Sequence, residues 1–134
     1  MKLSNEPTRK IEKRTWVEKV TDDTNSWLLA RNLERDDVFQ DAASYYLKDA
    51  SEQRDKNPLR TALSMSSAAR CFAELGKNQR SYELFLEAMA LYESVKESQY
   101  EQQDWDWLTE RIRYCKREAF KAKNHKGSKD DFRG

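Results

Sequence analysis

A shift of 39 residues lays the middle of this 134-residue chain onto itself. Ala30 falls on Ala69, Arg31 on Arg70, Leu33 on Phe72, Ala42 on Ser81, Tyr46 on Phe85 and Leu47 on Leu86. Small residues meet small ones and large apolar residues meet large ones. Stacked helix pairs need that pattern, because small residues let helices approach and large ones fill the gaps between them. Self-similarity at a period of about 20–50 residues is the signature of a solenoid. Composition points the same way. Three glycines and two prolines are too few to turn the hairpins of a small sandwich or barrel, or to build phosphate-cradling loops. The hydrophobic share is only 37% and the mean hydropathy −1.08, so the core must be thin. Four Trp, six Tyr and five Phe nonetheless argue against disorder.

Breaks and apolar stripes divide the chain into about six helices. The first is expected over 9–21, with Trp16, Val17 and Val20 as its apolar patch and Thr8 as N-cap. Asp22-Asp23-Thr24-Asn25-Ser26 is a break rich in capping residues, and a second helix follows through Trp27, Leu28, Leu29, Ala30 and Leu33. Asp36-Asp37 reads as a turn and N-cap, favoured there by the helix dipole, as is Asp22-Asp23. The third helix carries Phe39, Ala42, Ala43, Tyr46, Leu47 and Ala50, and the wholly polar stretch 51–56 closes it. Asn57-Pro58 supplies an N-cap with Pro at the first helical position. The fourth helix, with Leu59, Leu63, Ala68, Ala69, Phe72 and Leu75, stops at Gly76. Asn78 opens the fifth, with Tyr82, Leu84, Phe85, Ala88, Met89, Leu91 and Tyr92. The sixth runs over about 103–123, with Trp105, Leu108, Ile112, Cys115 and Ala119 on one face.

The second of the two similar stretches, Ala68-Ala69-Arg70-Cys71-Phe72-Ala73-Glu74-Leu75-Gly76-Lys77, continues to Ser81, Phe85 and Ala88. It resembles the tetratricopeptide repeat in its small–x–x–aromatic, Gly, small–x–x–x–aromatic–x–x–Ala spacing. The first stretch matches at Leu29, Ala30, Leu33, Phe39, Ala42 and Tyr46. It departs at Asp49, where the family usually has Ala, and at Asp37, which stands for the turn Gly; Asn78 departs in the second, where an aromatic is common. A spacing of 39 exceeds the family's usual period of about 34. In that respect the chain is similar to the longer helix pairs of the soluble NSF attachment proteins. The resemblance covers roughly residues 24–95 and implies an all-α, antiparallel helix-pair solenoid with right-handed superhelical stacking. The expected organisation is a flexible N-terminus at 1–8, a single tetratricopeptide-like domain over 9–123, and a flexible basic tail at 124–134. Within the domain, units at about 24–56 and 58–98 would lie between capping helices at 9–21 and 103–123, with Trp16 and Trp105 in the cap cores.

The resemblance also implies a concave groove lined by the first helix of each pair, where peptides lie. Carried over through the matched positions, that face would present Trp27, Arg31, Glu34 and Arg35 from the first unit, and Ser66, Arg70 and Glu74 from the second. Arg31 and Arg70, in register, would suit carboxylates or phosphates, because a guanidinium donates paired hydrogen bonds. The alternative is that they pair with Glu34 and Glu74 along their own helices. The family's carboxylate-clamp Asn and Lys residues have no counterparts at matching positions.

A formal net charge of +1 conceals three blocks. Residues 1–20 hold six bases and three acids, residues 21–110 ten bases and eighteen acids, and residues 111–134 nine bases and three acids. Arg113, Lys116, Arg117, Lys121, Lys123 and Lys126 make a basic C-terminal patch, either a solvated face or a contact for RNA, a ribosome or an acidic protein surface. Cys71 and Cys115 form no CxxC pattern and are expected to be buried free thiols in a reducing cytoplasm. With His125 the single histidine, a zinc site or His-based triad lacks its parts. No nucleotide or hydrolase motif is present, no cofactor is expected, and no apolar run approaches a membrane span or a signal-peptide core. Three functions follow as expectations. The first is a non-enzymatic adaptor holding an acidic protein or peptide in the groove. The second is a ribosome- or RNA-associated factor working through residues 111–129. The third is a subunit of a complex or homo-oligomer.

Overall fold

The computed structural model describes residues 25–97 and 102–124. Among them there are five helices and no strand. These are α1 (Asn25–Arg35), α2 (Phe39–Gln53), α3 (Pro58–Glu74), α4 (Asn78–Lys96) and α5 (Gln102–Asn124). The helix expected over 9–21, with its Trp16 patch, and the tail at 124–134 including Lys126 lie outside the described residues, apart from Asn124.

Each helix packs on the next in sequence. Side-chain pairs between α4 and α5 show the direction: Tyr82 meets Lys123, Phe85 meets Tyr114, Tyr92 meets Trp107 and Lys96 meets Trp105. One helix rises in number as the other falls, so the pair is antiparallel. Alternate helices also touch, α1 to α3 through Glu34 and Arg70, and α3 to α5 through Ser66 and Arg111. Helices α1, α3 and α5 therefore share one side of the molecule.

Five of the six matched pairs 39 apart have the same burial, Arg31 and Arg70 being the exception. Ala30 and Ala69 are buried, as are Ala42 and Ser81 and, deepest in the core, Tyr46 and Phe85; Leu33 and Phe72 are half-buried, as are Leu47 and Leu86. The α1–α2 and α3–α4 turns match bond for bond. Val38 N–H donates to the Leu33 carbonyl at 2.8 Å and Lys77 N–H to the Phe72 carbonyl at 2.9 Å. Asp37 N–H reaches Glu34 at 2.9 Å and Gly76 N–H reaches Ala73 at 3.0 Å. Both turns need one left-handed residue, Asp37 at φ 63° and Gly76 at φ 78°. This corrects the expectation that Asp36-Asp37 caps α2. The residue before α2 is Val38, with no side-chain cap, and Asp37 instead holds a backbone conformation that Gly76 reaches without a Cβ clash.

Elsewhere the boundaries follow local chemistry. Asn57 accepts a hydrogen bond from the Arg60 N–H at 3.1 Å and Pro58 opens α3. Helix α2 runs on to Gln53, past the expected end at Ala50, because exposed polar residues tolerate helix and no breaker intervenes before Asn57-Pro58. Along α5, Leu108, Cys115 and Ala119 are buried and Ile112 is half-buried. Trp105 is 38% exposed under the Lys96 ammonium, so this residue belongs to the rim and not to a cap core.

Candidate functional site

The face shared by α1, α3 and α5 carries a polar network. At its centre is Glu34, on the last turn of α1, with a side chain 20% exposed. Arg70 of α3 donates to it twice, from Nε at 2.6 Å and Nη2 at 2.8 Å, and the Tyr46 hydroxyl of α2 donates at 2.7 Å. Burial alone would raise the Glu34 carboxyl. The bonds and charge of Arg70, helped by Tyr46 and the nearby charge of Arg31, outweigh burial and hold it below its ordinary 4.5. Burial likewise works against the Arg70 charge, and Glu34 more than offsets it, with Tyr114 of α5 adding support. The Tyr46 phenol is pushed up, first by burial and then by its bond to Glu34.

A second cluster lies where α3, α4 and α5 meet. Ser66 donates its hydroxyl proton to the Leu63 carbonyl at 3.0 Å, which leaves its oxygen to accept from Arg111 Nη2 at 3.3 Å. The Arg111 guanidinium lies 4.6 Å from the Tyr114 ring centroid and 5.7 Å from that of Tyr92. Arg117 approaches Tyr114 at 5.8 Å. Arg111 Nε and the Tyr92 hydroxyl are both buried and have no hydrogen-bond partner among the described residues. Burial raises the Tyr92 phenol, and Arg111 and Ser66 pull the other way.

The residues expected on a concave face divide into two sets. Arg31, Arg35 and Glu74 are exposed, and Glu34 and Arg70 are partly exposed. Trp27 is 5% exposed and sits edge-on to Tyr46 at 5.1 Å, with the Arg60 guanidinium over its ring. Ser66 is fully buried. Neither offers an open surface, because Trp27 fills the α1–α2 core and Ser66 lies beneath Arg111. Arg70 does not pair along its own helix with Glu74; it crosses to Glu34 on α1.

The basic C-terminal patch divides in the same way. Arg113 and Arg117 face Glu110 and Glu118 at 3.8 and 4.0 Å, Lys121 bonds Glu118 at 3.2 Å, and Lys123 lies over Tyr82. Lys116 is exposed, and beside it on the same face of α5 stands Phe120, at 70% the most exposed large apolar residue described. An open groove of roughly 450 Å³ between α4 and α5 is lined by Lys96, Glu97, Trp105, Thr109, Ile112 and Arg113. Both thiols are buried and free, and burial pushes Cys71 to about 12 and Cys115 to about 11, which leaves neither as a ready nucleophile.

Sequence reasoning missed Tyr46, Tyr92, Tyr114 and Arg111 as members of these clusters. It also passed over the role of Asp49, buried on α2 and bonded by Arg60 at 2.9 and 3.2 Å and by Ser64. The departure of Asp49 from the Ala of the resembled family, with an arginine eleven residues on, was the available signal. No helix among the described residues is long and apolar enough to cross a membrane. Comparison of the chain with protein-family models, with curated proteins and with solved structures produced no match.

Proposed function

We propose that this chain is a tetratricopeptide-like, non-enzymatic interaction module, whose α1–α3–α5 face binds an acidic protein or peptide. The observation that carries the reading is the continuous side formed by alternate helices. On it Glu34–Arg70 and Ser66–Arg111 tie the helices together, while Arg31 and Arg35 remain exposed around the network. The matched turns at 36–38 and 75–77 support a stack of two like units, with α5 beginning a third. Such stacks leave an extended surface made of many helices, which suits a protein segment better than a small molecule. A charge reversal at Arg31→Glu/Arg35→Glu removes two exposed guanidiniums while the Arg70 and Tyr46 hydrogen bonds to Glu34 stay in place. Affinity purification of the native protein from its own cells at low and high salt, with partners identified, then tests the reading. Loss of a partner with the double variant supports it, and unchanged recovery overturns it.

A second reading rests on a separate observation, Phe120 exposed beside Lys116 on one face of α5. A basic side chain beside an exposed ring suits single-stranded nucleic acid, where bases stack and phosphates pair. On this reading the chain is an RNA- or ribosome-associated factor. Its binding would fall steeply with salt and would be lost in Phe120→Ala/Lys116→Glu while Arg31→Glu/Arg35→Glu leaves it intact.

A further inference from the structure

Three of the described arginines are not exposed: Arg60, Arg70 and Arg111. Arg60 grips the Asp49 carboxylate with two nitrogens, and Arg70 grips Glu34 in the same way. Among the described residues Arg111 has no carboxylate partner, and its one hydrogen bond there goes to a neutral hydroxyl, Ser66, with two tyrosine rings beside it. A partly buried guanidinium held by a hydroxyl and ring faces is under-compensated, because burial strips its water and no anion among the described residues replaces it. Two buried polar atoms here, its own Nε and the Tyr92 hydroxyl, also lack hydrogen-bond partners among the described residues. The cluster has a floor of Ser66 and Tyr92 and a rim of Tyr114 and Arg117, both reaching the surface.

We infer that Arg111, seated between Tyr92 and Tyr114, is the anchor for one carboxylate of an acidic peptide segment lying along the α1–α3–α5 face. This rests on the interaction-module reading and names the ligand chemistry for it. A carboxylate fits better than a phosphate. The neighbouring Arg70 is already neutralised by Glu34 and the rim Arg117 faces Glu118, so the Arg111 guanidinium is the one left in the cluster, which matches a monoanion rather than a dianion. Tyr114, with guanidiniums near its ring, gives an apolar shelf for the methylenes next to that carboxylate.

The probe is a fluorescein-labelled hexaglutamate peptide, titrated into the full chain and read by anisotropy, with a phosphoserine peptide and a hexameric single-stranded RNA as parallel arms. Hexaglutamate binds the native protein, Arg111→Gln weakens it about tenfold or more, and Arg111→Lys falls between. Arg113→Gln removes the same charge from an exposed position on the same helix and changes affinity by less than about twofold. The Arg111 Nε–H resonance of the native protein shifts on adding peptide, a readout independent of whether Arg111→Gln alters stability. Equal losses for Arg111→Gln and Arg113→Gln, no binding of hexaglutamate, or Arg111-dependent preference for the phosphorylated or RNA probe would each overturn the inference. If hexaglutamate fails while Arg31→Glu/Arg35→Glu still loses a cellular partner, the anchor falls and the module reading stands. If the anchor binds but that double variant recovers every partner, the module reading falls alone.

Discussion

The helix pairs α1–α2 and α3–α4 share a turn geometry and a burial pattern, yet they spend their interior on different chemistry. The first pair holds Glu34, Tyr46 and Asp49. The residues 39 positions on are Ala73, Phe85 and Ala88. The acid and the hydroxyl that bond each other in the first pair are lost together in the second, leaving neither group unsatisfied. Trp27, which packs against Tyr46, is replaced by Ser66, and Phe85 instead meets Tyr114 of α5 edge-on at 5.8 Å. At Glu34 and Tyr46 the comparison teaches that the backbone plan is repeated while bonded polar groups come and go together, because a lone buried polar group costs more than a pair or none.

The strongest way to break the comparison is to give the first pair the second pair's residue at its most buried acid. Asp49→Ala leaves Arg60 buried beside Trp27 without its carboxylate. It should lower unfolding free energy by about 3–5 kcal/mol in urea titrations, with Asp49→Ala/Arg60→Met recovering most of the loss. Next comes the turn. Gly76→Ala forces a Cβ into the left-handed position and should cost about 1–2 kcal/mol. Tyr46→Phe, the residue found at 85, removes a hydroxyl bonded to a carboxylate and should cost about 1–2 kcal/mol. That cost should shrink sharply in a Glu34→Ala background, as a double-mutant cycle would read it.

The Glu34 carboxyl sharpens the difference through pH. Its folded value is depressed below 4.5, so its contribution is present above the unfolded value and is lost as pH falls through the lower folded one. Stability of the native chain should therefore decline more steeply than that of Glu34→Gln as pH drops below about 5, measured by thermal unfolding at stepped pH. The smallest effect should be a gain. Asp37→Gly relieves a non-glycine residue at positive φ and should add up to about 1 kcal/mol.

Much of the fold was legible because its causes are local. Asn57-Pro58, Gly76 and the stripe Leu108, Cys115, Ala119 announce a cap, a stop and a buried face from neighbours a few residues away. Asp37 was read as a cap because aspartate favours both N-caps and left-handed turns, and sequence alone does not rank them. Its place opposite Gly76 in the 39-residue register was the better guide. The candidate site was legible only in part. Arg31, Arg35 and Glu74 are exposed and Glu34 and Arg70 partly so, but Trp27 and Ser66 were assigned to a surface they do not reach. A helix position indicates which side a residue faces and does not say what neighbouring helix covers it.

The amino-acid order by itself determined where the described residues are helical, where they turn and most of what each helix buries, since hydrogen-bond capping and 3.6-residue periodicity act within a few residues. Leu28, Leu29 and Trp105 are exposed members of the expected stripes. Only the tertiary structure decided which charges are spent and which remain. Glu34 meets Arg70 across 36 residues and Ser66 meets Arg111 across 45, and such partners are chosen by helix packing. Among the described residues the near-neutral total charge thus resolves into two buried or half-buried arginines with carboxylates and one, Arg111, without.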